Sequence, residues 1–212
     1  MRIILLGAPG SGKGTISNFL CKAHNLMHIS TGDLFRAALK KEDDFANQIK
    51  QFIVSGAYVP DWITNKIADD AISTANNEYA GFILDGYPRT INQADHLKDE
   101  AKIDAVILLD VDEDTLFKRI SGRRVCPNCN SIYNIYFEGK PKVENHCDKC
   151  GHELIQRSDD NPEVAKDRII LYLNQTKPLI DYYQQMNLLS VVDATQPIDK
   201  IMSEVKNILN IK

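Results

Sequence analysis

The sequence begins with a glycine-rich segment that could hold a chain of phosphates. Residues 7–15 are GAPGSGKGT and contain G-x-x-x-x-G-K, the first part of a P-loop. Backbone N–H groups of such a loop point at phosphate oxygens, and Lys13 would reach the β- and γ-phosphates. The strict motif continues with Ser or Thr, whereas this chain has Gly14 and then Thr15. We therefore assign the hydroxyl contact with magnesium or phosphate to Thr15. A glycine-rich turn without a ligand is the alternative.

Four of the five cysteines form two C-x-x-C pairs, Cys126 with Cys129 and Cys147 with Cys150, separated by seventeen residues. Two such pairs present four thiolates to one ion, and the usual ion is structural zinc. All four positions are then filled, so the metal would stabilise its surroundings and take no part in catalysis. Iron is the minor alternative. A zinc finger that binds nucleic acid is disfavoured because the net charge is −4 and no basic helix accompanies the cysteines.

Positive charge is concentrated in a few places along the chain. All eight arginines except Arg2 lie in or beside the segments discussed here. Arginine binds phosphate through two parallel hydrogen bonds, so this distribution indicates an anionic ligand. The negative net charge excludes a general basic surface for DNA or RNA. No apolar stretch approaches the ~18 residues of a membrane span, and residues 1–7 are not a signal peptide. We expect a cytoplasmic protein with reduced thiols.

The elements that must position these groups alternate between strand and helix. Apolar runs predict strands over residues 2–6, 81–85, 105–109 and 190–192. Periodicity and capping residues predict a helix after the glycine-rich loop and a helical stretch over 30–73 with breaks at 55–56 and 60–61. Further helices are predicted from residue 90, over 115–120, from 161 to about 185, and over 198–209. This alternation indicates a doubly wound α/β core.

Two segments interrupt that core. Helical periodicity disappears between residues 122 and 160, where the chain is rich in Cys, Asn, Lys, Gly and Pro. We predict a core of residues 1–29, 60–121 and 161–212, a helical insertion over 30–59 and a small β-rich subdomain over 122–160. Cys21, which stands alone, is expected in the core or at its boundary.

Four motifs occur in an order that resembles the adenylate kinase family, in its long form with a cysteine-bearing lid. They are Gly7-x-Pro9-Gly10-x-Gly12-Lys13-Gly14-Thr15, Ser30-Thr31-Gly32-Asp33, Asp85-Gly86-Tyr87-Pro88-Arg89 and Gly122-Arg123-Arg124. The resemblance covers nearly the whole chain. It implies a P-loop NTPase-like fold with a five-stranded doubly wound parallel sheet. Residues 30–59 would hold the monophosphate, and residues 122–160 would form a zinc lid over ATP.

The resemblance also implies a reaction and a set of site residues. The reaction is transfer from MgATP to AMP, giving two ADP, by a monomer. The ATP-binding residues would be Gly10, Ser11, Gly12, Lys13, Gly14, Thr15, Arg119, Arg123, Ile132, Tyr133 and Gln196. The AMP-binding residues would be Thr31, Arg36, Ala57, Tyr58, Val59, Gly86, Tyr87, Pro88, Arg89, Gln93, Arg157 and Arg168. The catalytic residues would be Lys13, Arg123, Arg157, Arg168, Asp159 and Asp160, and Asp85 and Asp33 would hold magnesium through water.

Several of these residues have simpler interpretations. Thr31 could be only a helix cap, and Gln93 only the third residue of a capping box. Arg123 with Arg124 could be a solvated pair, and residues 159–161 could only cap the next helix. The family often has Lys where this chain has Ala57, so contacts from residues 57–59 would come from the backbone. A kinase for UMP, CMP or GMP, or a nucleotide-sensing module, is the alternative function.

Overall fold

The computed structural model describes residues 1–41, 43–137 and 139–211. Glu42, Glu138 and Lys212, which fall within the predicted ranges, lie outside the described residues. The strands of the described residues are β1 (Arg2–Leu6), β2 (Met27–Ser30), β3 (Phe82–Asp85), β4 (Ala105–Asp110), β5 (Arg123–Val125), β6 (Ile132–Asn134) and β7 (Leu189–Asp193). Five of them form one parallel sheet in the order β2-β3-β1-β4-β7.

Helices cover both faces of this sheet. They are α1 (Lys13–His24), α2 (Thr31–Leu39), α3 (Asp44–Ser55), α4 (Asp61–Glu78), α5 (Ile91–Glu100), α6 (Glu113–Ser121), α7 (Pro162–Leu171), α8 (Pro178–Gln185) and α9 (Ile198–Leu209). Ile4 and Leu6 of β1 pack against α4, α5 and α8, whereas Ile3 and Leu5 pack against α1 and α9. Successive side chains of a strand point to opposite faces, so both faces of β1 are buried. The predicted doubly wound α/β fold is confirmed.

The carboxyl ends of the parallel strands place the candidate groups at one edge of the sheet. β1 lies between β3 and β4, with Leu5 opposite Asp85 and Ile107. The glycine-rich loop follows β1, and Asp85 is the last residue of β3. Ligands of open α/β sheets bind beyond this edge. The fold therefore brings the P-loop and the Asp85 motif together, although they are far apart in sequence.

Three local predictions differ from the structure. β2 was not predicted; the chain reaches it after Asn25, whose left-handed backbone (φ 52°) ends α1. The helical stretch predicted over 30–73 has a further break after Leu39, where α2 ends, and Asp43 caps α3 by accepting from Ala46 N at 2.8 Å. The helix predicted from 161 to about 185 contains a π-helical turn, Tyr172–Thr176, between α7 and α8.

The two interrupting segments have small apolar clusters of their own. Residues 30–59 pack α2 and α3 around Phe35, Ile49 and Val59. Residues 122–160, here called the cysteine segment, contain the antiparallel pair β5–β6, and buried Tyr133 and Leu154 pack beside two of the cysteines. The two ends of the segment lie next to each other, because the backbones of residues 125 and 155 exchange two hydrogen bonds, at 2.8 and 2.9 Å. The boundaries of these segments as domains stay predictions.

Across the described part of the chain, none of the helices combines the length and apolar character needed to span a bilayer.

Candidate active site

The glycine-rich loop between β1 and α1 is wrapped tightly against its neighbours. Gly10 has φ +85°, and a Cβ there would lie 2.9 Å from Ile120 Cγ1. Only glycine fits a position that combines this backbone with so close an approach. Lys13 Nζ donates to the carbonyl oxygens of Gly7 (2.8 Å) and Ala8 (3.0 Å). The Ser11 hydroxyl is buried and has no hydrogen-bond partner among the described residues. This loop has the backbone of a phosphate cradle at a helix N-terminus.

Lys13 lies in a concentrated positive field. Burial, together with the positive charges of Arg89, Arg168 and Arg123, lowers its pKa to about 8 against an opposing effect of Asp85. An ammonium group that is both desolvated and surrounded by arginines is stabilised by a nearby anion. The field at this point is therefore suited to a polyphosphate.

Asp85 faces the start of α1 from the end of β3. A Cβ on Gly14 would lie 3.8 Å from Asp85 Oδ2, and His28 Nε2 of β2 lies 3.2 Å from the same oxygen. Burial raises the pKa of Asp85, but the hydrogen bond with His28 and the charge of Lys13 outweigh it, so the pKa is lowered. Asp85 thus stays a carboxylate beside the phosphate loop, as a ligand of magnesium-bound water should. Asp33 is half-exposed and instead accepts from Arg36 at 2.6 Å.

A pocket with both polar and apolar walls lies between residues 30–59 and the carboxyl edge of the sheet. It is lined by Thr31, Gly32, Phe35, Arg36, Phe52, Ile53, Gly56, Ala57, Tyr58, Val59, Thr64, Arg89, Gln93, Asp159 and Arg168. The carbonyl oxygen of Gly86 accepts from Thr31 Oγ1 (2.7 Å) and from Arg89 Nε (2.8 Å). Arg89 also lies over the ring of Tyr58, 5.0 Å from its centre. These contacts hold the Arg89 guanidinium in the wall of the pocket.

The simpler interpretation of Thr31 is wrong, and that of Gln93 holds only for its backbone N–H, which donates to the capping Thr90 Oγ1 at 3.2 Å. The cap of α2 is Ser30, which accepts from Asp33 N, and Thr31 is the first residue of the helix. The Gln93 amide does not reach back to Thr90 N; its Oε1 accepts from Arg89 N (2.7 Å) and its Nε2 donates to Asp61 Oδ1 (2.7 Å). Both side chains are therefore available as parts of the pocket wall.

Other residues predicted for this pocket contribute in different ways. Tyr87 points into the core, where its hydroxyl donates to Asn65 Oδ1 at 3.0 Å. Val59 is buried, and its carbonyl oxygen accepts from Thr64 Oγ1 at 3.1 Å. Tyr58 bonds through its hydroxyl to Thr176 in the π-helical turn at 2.7 Å. Tyr87 and its neighbour Pro88, which is also buried, can therefore contact a ligand only through the backbone.

A cluster of arginines and aspartates joins the pocket to the cysteine segment. Asp160 is fully buried and accepts from Arg123 Nε (2.7 Å), from Arg123 Nη2 and from Arg168 Nη1 (3.3 Å). Arg168 also pairs with Asp159 Oδ2 at 2.9 Å. Arg157 has no ion pair in the described part of the chain, and burial, followed by the charges of Arg123 and Arg36, lowers its pKa to about 10. The cluster therefore contains a desolvated cation that lacks its anion.

Arg123 and Arg124 have different environments. Arg124 Nη1 donates to the backbone oxygens of Ser121 and Arg123, while Arg123 is directed at Asp160. The interpretation of the two as a solvated pair is therefore wrong for Arg123. The capping interpretation of residues 159–161 holds for Asn161, which caps α7, but Asp159 and Asp160 bond arginines.

Two of the residues predicted beside the base of ATP, Arg119 and Gln196, contact the chain at the end of β7. Arg119 Nη2 donates to the carbonyl oxygen of Ala194 (2.9 Å), and its guanidinium lies 5.8 Å from the centre of the Phe137 ring. Gln196 lies in the loop after β7, with Nε2 directed at the carbonyl oxygen of Asp193. Ile132 is half-exposed. A flat ligand could stack on the Arg119 guanidinium at this place.

The four predicted metal ligands converge. Their Sγ atoms all lie within 4.8 Å of one another, and three of the separations are 3.3, 3.5 and 3.5 Å. Four thiolates around zinc at Zn–S ≈ 2.3 Å would be about 3.8 Å apart, so the donor set fits a tetrahedral ion. His146 and His152 bond backbone carbonyl oxygens instead.

Tyr133 belongs to this cluster through its side chain. It is buried, its hydroxyl lies 3.4 Å from Cys147 Sγ, and Asp148 N donates to it at 2.8 Å. The hydrogen bond from Tyr133 lowers the pKa of Cys147 to about 6. A thiol that ionises readily is a better metal ligand.

Comparison with known proteins agrees with this geometry. The sequence model described as adenylate kinase matches residues 5–188. The chain belongs to the adenylate kinase family. It is 47% identical over 213 residues to "Adenylate kinase" of Mycoplasmoides gallisepticum, covering 99% of each chain. It is 45% identical over 206 residues to "Adenylate kinase" of Treponema denticola (97% and 98% of the chains) and 44% identical over 214 residues to that of Thermoanaerobacter sp. (99% and 98%).

Three residues beside the adenylate kinase motifs were missed by sequence reasoning. They are His28, Asp61 and Phe137, which contact Asp85, Gln93 and Arg119 respectively. His28 lies on a strand that the sequence did not reveal. Asp61 lies at a break between two predicted helices, and Phe137 lies in a segment without periodicity. Their roles come from contacts between distant parts of the chain.

Proposed function

We propose that this chain transfers the γ-phosphoryl group of MgATP reversibly to AMP, giving two ADP. The observation that carries the proposal is the convergence of Lys13 with arginines from four parts of the chain at the carboxyl edge of the sheet. These arginines are Arg36, Arg89, Arg123, Arg157 and Arg168. The charge effects that link them and the pocket they border support one site for two phosphorylated ligands.

The acceptor would occupy the pocket of residues 30–59. Arg36 and Arg89 would bind the AMP phosphate, because guanidinium groups bind phosphate bidentately. Gln93 would hydrogen-bond the adenine edge, and backbone groups of residues 57–59 and 86–88 would complete the wall. The buried position of Gln93 and its place in the pocket lining support this arrangement.

The donor would lie along the P-loop. Backbone N–H groups of residues 10–15 and the ammonium of Lys13 would bind its phosphates. Arg119 and the backbone of residues 132, 133 and 196 would border its base. Asp85, Asp33 and Thr15 would hold the magnesium ion or its water. Magnesium held there would neutralise negative charge on the phosphates of the donor.

The transfer itself would depend on position and charge. The acceptor is already a phosphate anion, so no strong general base is required. Arg123, Arg157 and Arg168 would stabilise charge on the transferred group from one side, and Lys13 from the other. Asp159 and Asp160 form ion pairs with two of these arginines, Arg123 and Arg168. Closure of the cysteine segment would bring them to the phosphates and exclude water.

The cysteine segment would be a lid stabilised by structural zinc. The convergence of four thiolates supports a metal, and the tetrahedral thiolate set favours zinc, with iron as the minor alternative. A monomeric state, a cytoplasmic location and the absence of nucleic acid from its partners stay predictions from the sequence. The names of the relatives and the Gln93 amide favour AMP over UMP, CMP or GMP.

A panel of acceptors tests the proposal. Purified protein with MgATP would be offered AMP, UMP, CMP or GMP, and diphosphates would be separated by chromatography. We expect rapid ADP formation with AMP and much slower transfer to the others. Preference for another monophosphate would overturn the choice of AMP. Binding of ATP without transfer to any acceptor would favour a nucleotide-sensing module and contradict the proposal.

A further inference from the structure

Asp61 is joined to the pocket wall by two hydrogen bonds that no step of the proposed transfer uses. It is the first residue of α4, and its carboxylate accepts from Gln93 Nε2 at 2.7 Å and from Thr90 Oγ1 at 3.0 Å. Gln93 Oε1 accepts from the backbone N–H of Arg89 at 2.7 Å. Only 1% of Gln93 is exposed, so these are the contacts that orient its amide.

We propose that Asp61 fixes the orientation of the Gln93 amide and thereby selects adenine over 6-oxopurine bases. Asp61 is a positioning residue here, since it acts through Gln93 and does not touch the ligand. The inference rests on the proposed function, in which Gln93 contacts the base of the acceptor.

The two partners of the amide permit one orientation. A glutamine amide turned by half a rotation exchanges its donor and its acceptor. A carboxylate can only accept and a backbone N–H can only donate. After such a turn, Gln93 Oε1 would face the Asp61 carboxylate and Nε2 would face the Arg89 N–H. Both hydrogen bonds would be lost and both contacts would become repulsive.

The fixed amide has one N–H and one carbonyl lone pair left for a ligand. Adenine offers a donor, its 6-amino group, next to ring nitrogens that accept, which matches a glutamine amide. A 6-oxopurine has an accepting O6 and a donating N1–H at the same places, so it matches the reversed amide. If Asp61 prevents that reversal, a 6-oxopurine leaves buried polar groups of the site unpaired, and such mismatches are strongly rejected.

The substitution Asp61→Asn tests this role. An asparagine amide can donate or accept, so it permits either orientation of Gln93 at nearly unchanged shape. The assay measures kcat/KM with MgATP and either AMP or inosine monophosphate, which has the 6-oxo edge without the 2-amino group of guanine. We expect the AMP-to-IMP ratio to fall by about tenfold, since one polar mismatch is relieved and the Arg89 N–H still favours the original orientation. The change should come from better use of IMP, with kcat for AMP nearly unchanged.

Asp69→Asn is the matched control. Asp69 also lies on α4 and bonds a residue of α5, His96, at 2.9 and 3.1 Å, but it contacts neither Gln93 nor the pocket. The control should leave the AMP-to-IMP ratio unchanged. Asp61→Ser, whose hydroxyl also donates or accepts, gives a second variant if Asp61→Asn folds poorly.

The outcomes separate this inference from the proposed function. A wild-type protein that phosphorylates AMP, with Asp61 variants that lose activity towards AMP and IMP equally, would show a structural role and overturn the inference alone. An unchanged ratio in both variants would overturn it in the same way. A wild-type protein that transfers to neither monophosphate would overturn the proposed function, and the inference with it.

Discussion

Asp160 provides the most demanding test of the electrostatics of this site. Its fully buried carboxylate accepts hydrogen bonds from Arg123 and Arg168. Asp160→Asn keeps the shape and one acceptor but removes the negative charge that bonds both arginines. Loss of one partner of a buried ion pair costs about 3–5 kcal/mol, because the remaining charge is desolvated and uncompensated. We expect the lower end, about 3 kcal/mol, since the asparagine oxygen still accepts.

That loss corresponds to a fall in Tm of about 6–12 °C for a chain of this length. Thermal and urea unfolding of the nucleotide-free protein measure it. Asp33→Asn is the matched control, because Asp33 pairs with Arg36 but its side chain is 58% exposed. Exposed pairs contribute about 0–1 kcal/mol. A Tm of Asp160→Asn within about 2 °C of the control would refute the assignment of Asp160 as the counter-ion of a buried cluster.

A second measurement on the same variant connects stability with binding. If Arg123 and Arg168 bind the phosphates of the donor, the phosphates must compete with Asp160 for them in the native protein. Without that competitor, a non-hydrolysable ATP analogue should raise the Tm of Asp160→Asn by more than it raises the Tm of the native chain. Equal increases would mean that these arginines do not bind the donor phosphates.

Three further predictions concern other parts of the site. Arg89→Ala should raise KM for AMP by about 100-fold or more, because a charge-assisted phosphate contact contributes about 3 kcal/mol. The Kd of ATP, measured by calorimetry, should stay within about threefold. Equal loss of affinity for both ligands would contradict the place of Arg89 in the acceptor pocket. Removal of the metal by a chelator, or the substitution Cys129→Ser, should lower the Tm of the cysteine segment and abolish stoichiometric metal content. An unchanged melting profile would show that no ion stabilises the cysteine segment. Lys13 has a pKa lowered to about 8, so above this pH the free protein loses a cation that bound phosphates would restore. ATP affinity should therefore fall about tenfold between pH 7 and pH 9, with proton uptake on binding at pH 9 by calorimetry in two buffers, and Lys13→Met should show no such uptake.

The features that the sequence predicted correctly are those that can be recognised from residues close together in the chain. Strands β1, β3 and β4 are buried on both faces, so each is a continuous apolar run. The P-loop and the cysteine pairs are defined by spacing within a few residues. β2 is different: only Ile29 of its four residues is fully buried, since it lies at the edge of the sheet, and Met-His-Ile-Ser has neither a run nor an alternation. Periodicity cannot identify such a strand.

The contacts of the site depend on distance in space. Asp61 and Gln93 are separated by 32 residues, and His28 and Asp85 by 57. No local pattern relates the members of these pairs, because each pair exists only after helices and strands have packed. The side-chain direction of Tyr133 is a similar case, since it depends on a cysteine 14 residues away. The sequence identifies the candidate residues of the site, but their hydrogen-bond partners are known only from the folded structure.

The closeness of the two ends of the cysteine segment has a consequence for how this protein can evolve. Residues 125 and 155 are hydrogen-bonded to each other, and Gln156 Nε2 donates to the carbonyl oxygen of Ser121 at 3.0 Å. A unit whose two ends meet can be lengthened, shortened or exchanged without shifting the sheet that carries it. The four cysteines that could hold a metal ion all lie between those ends, so they can be replaced together by another means of stabilisation. The stiffness of this part can thus evolve separately from the P-loop and the acceptor pocket.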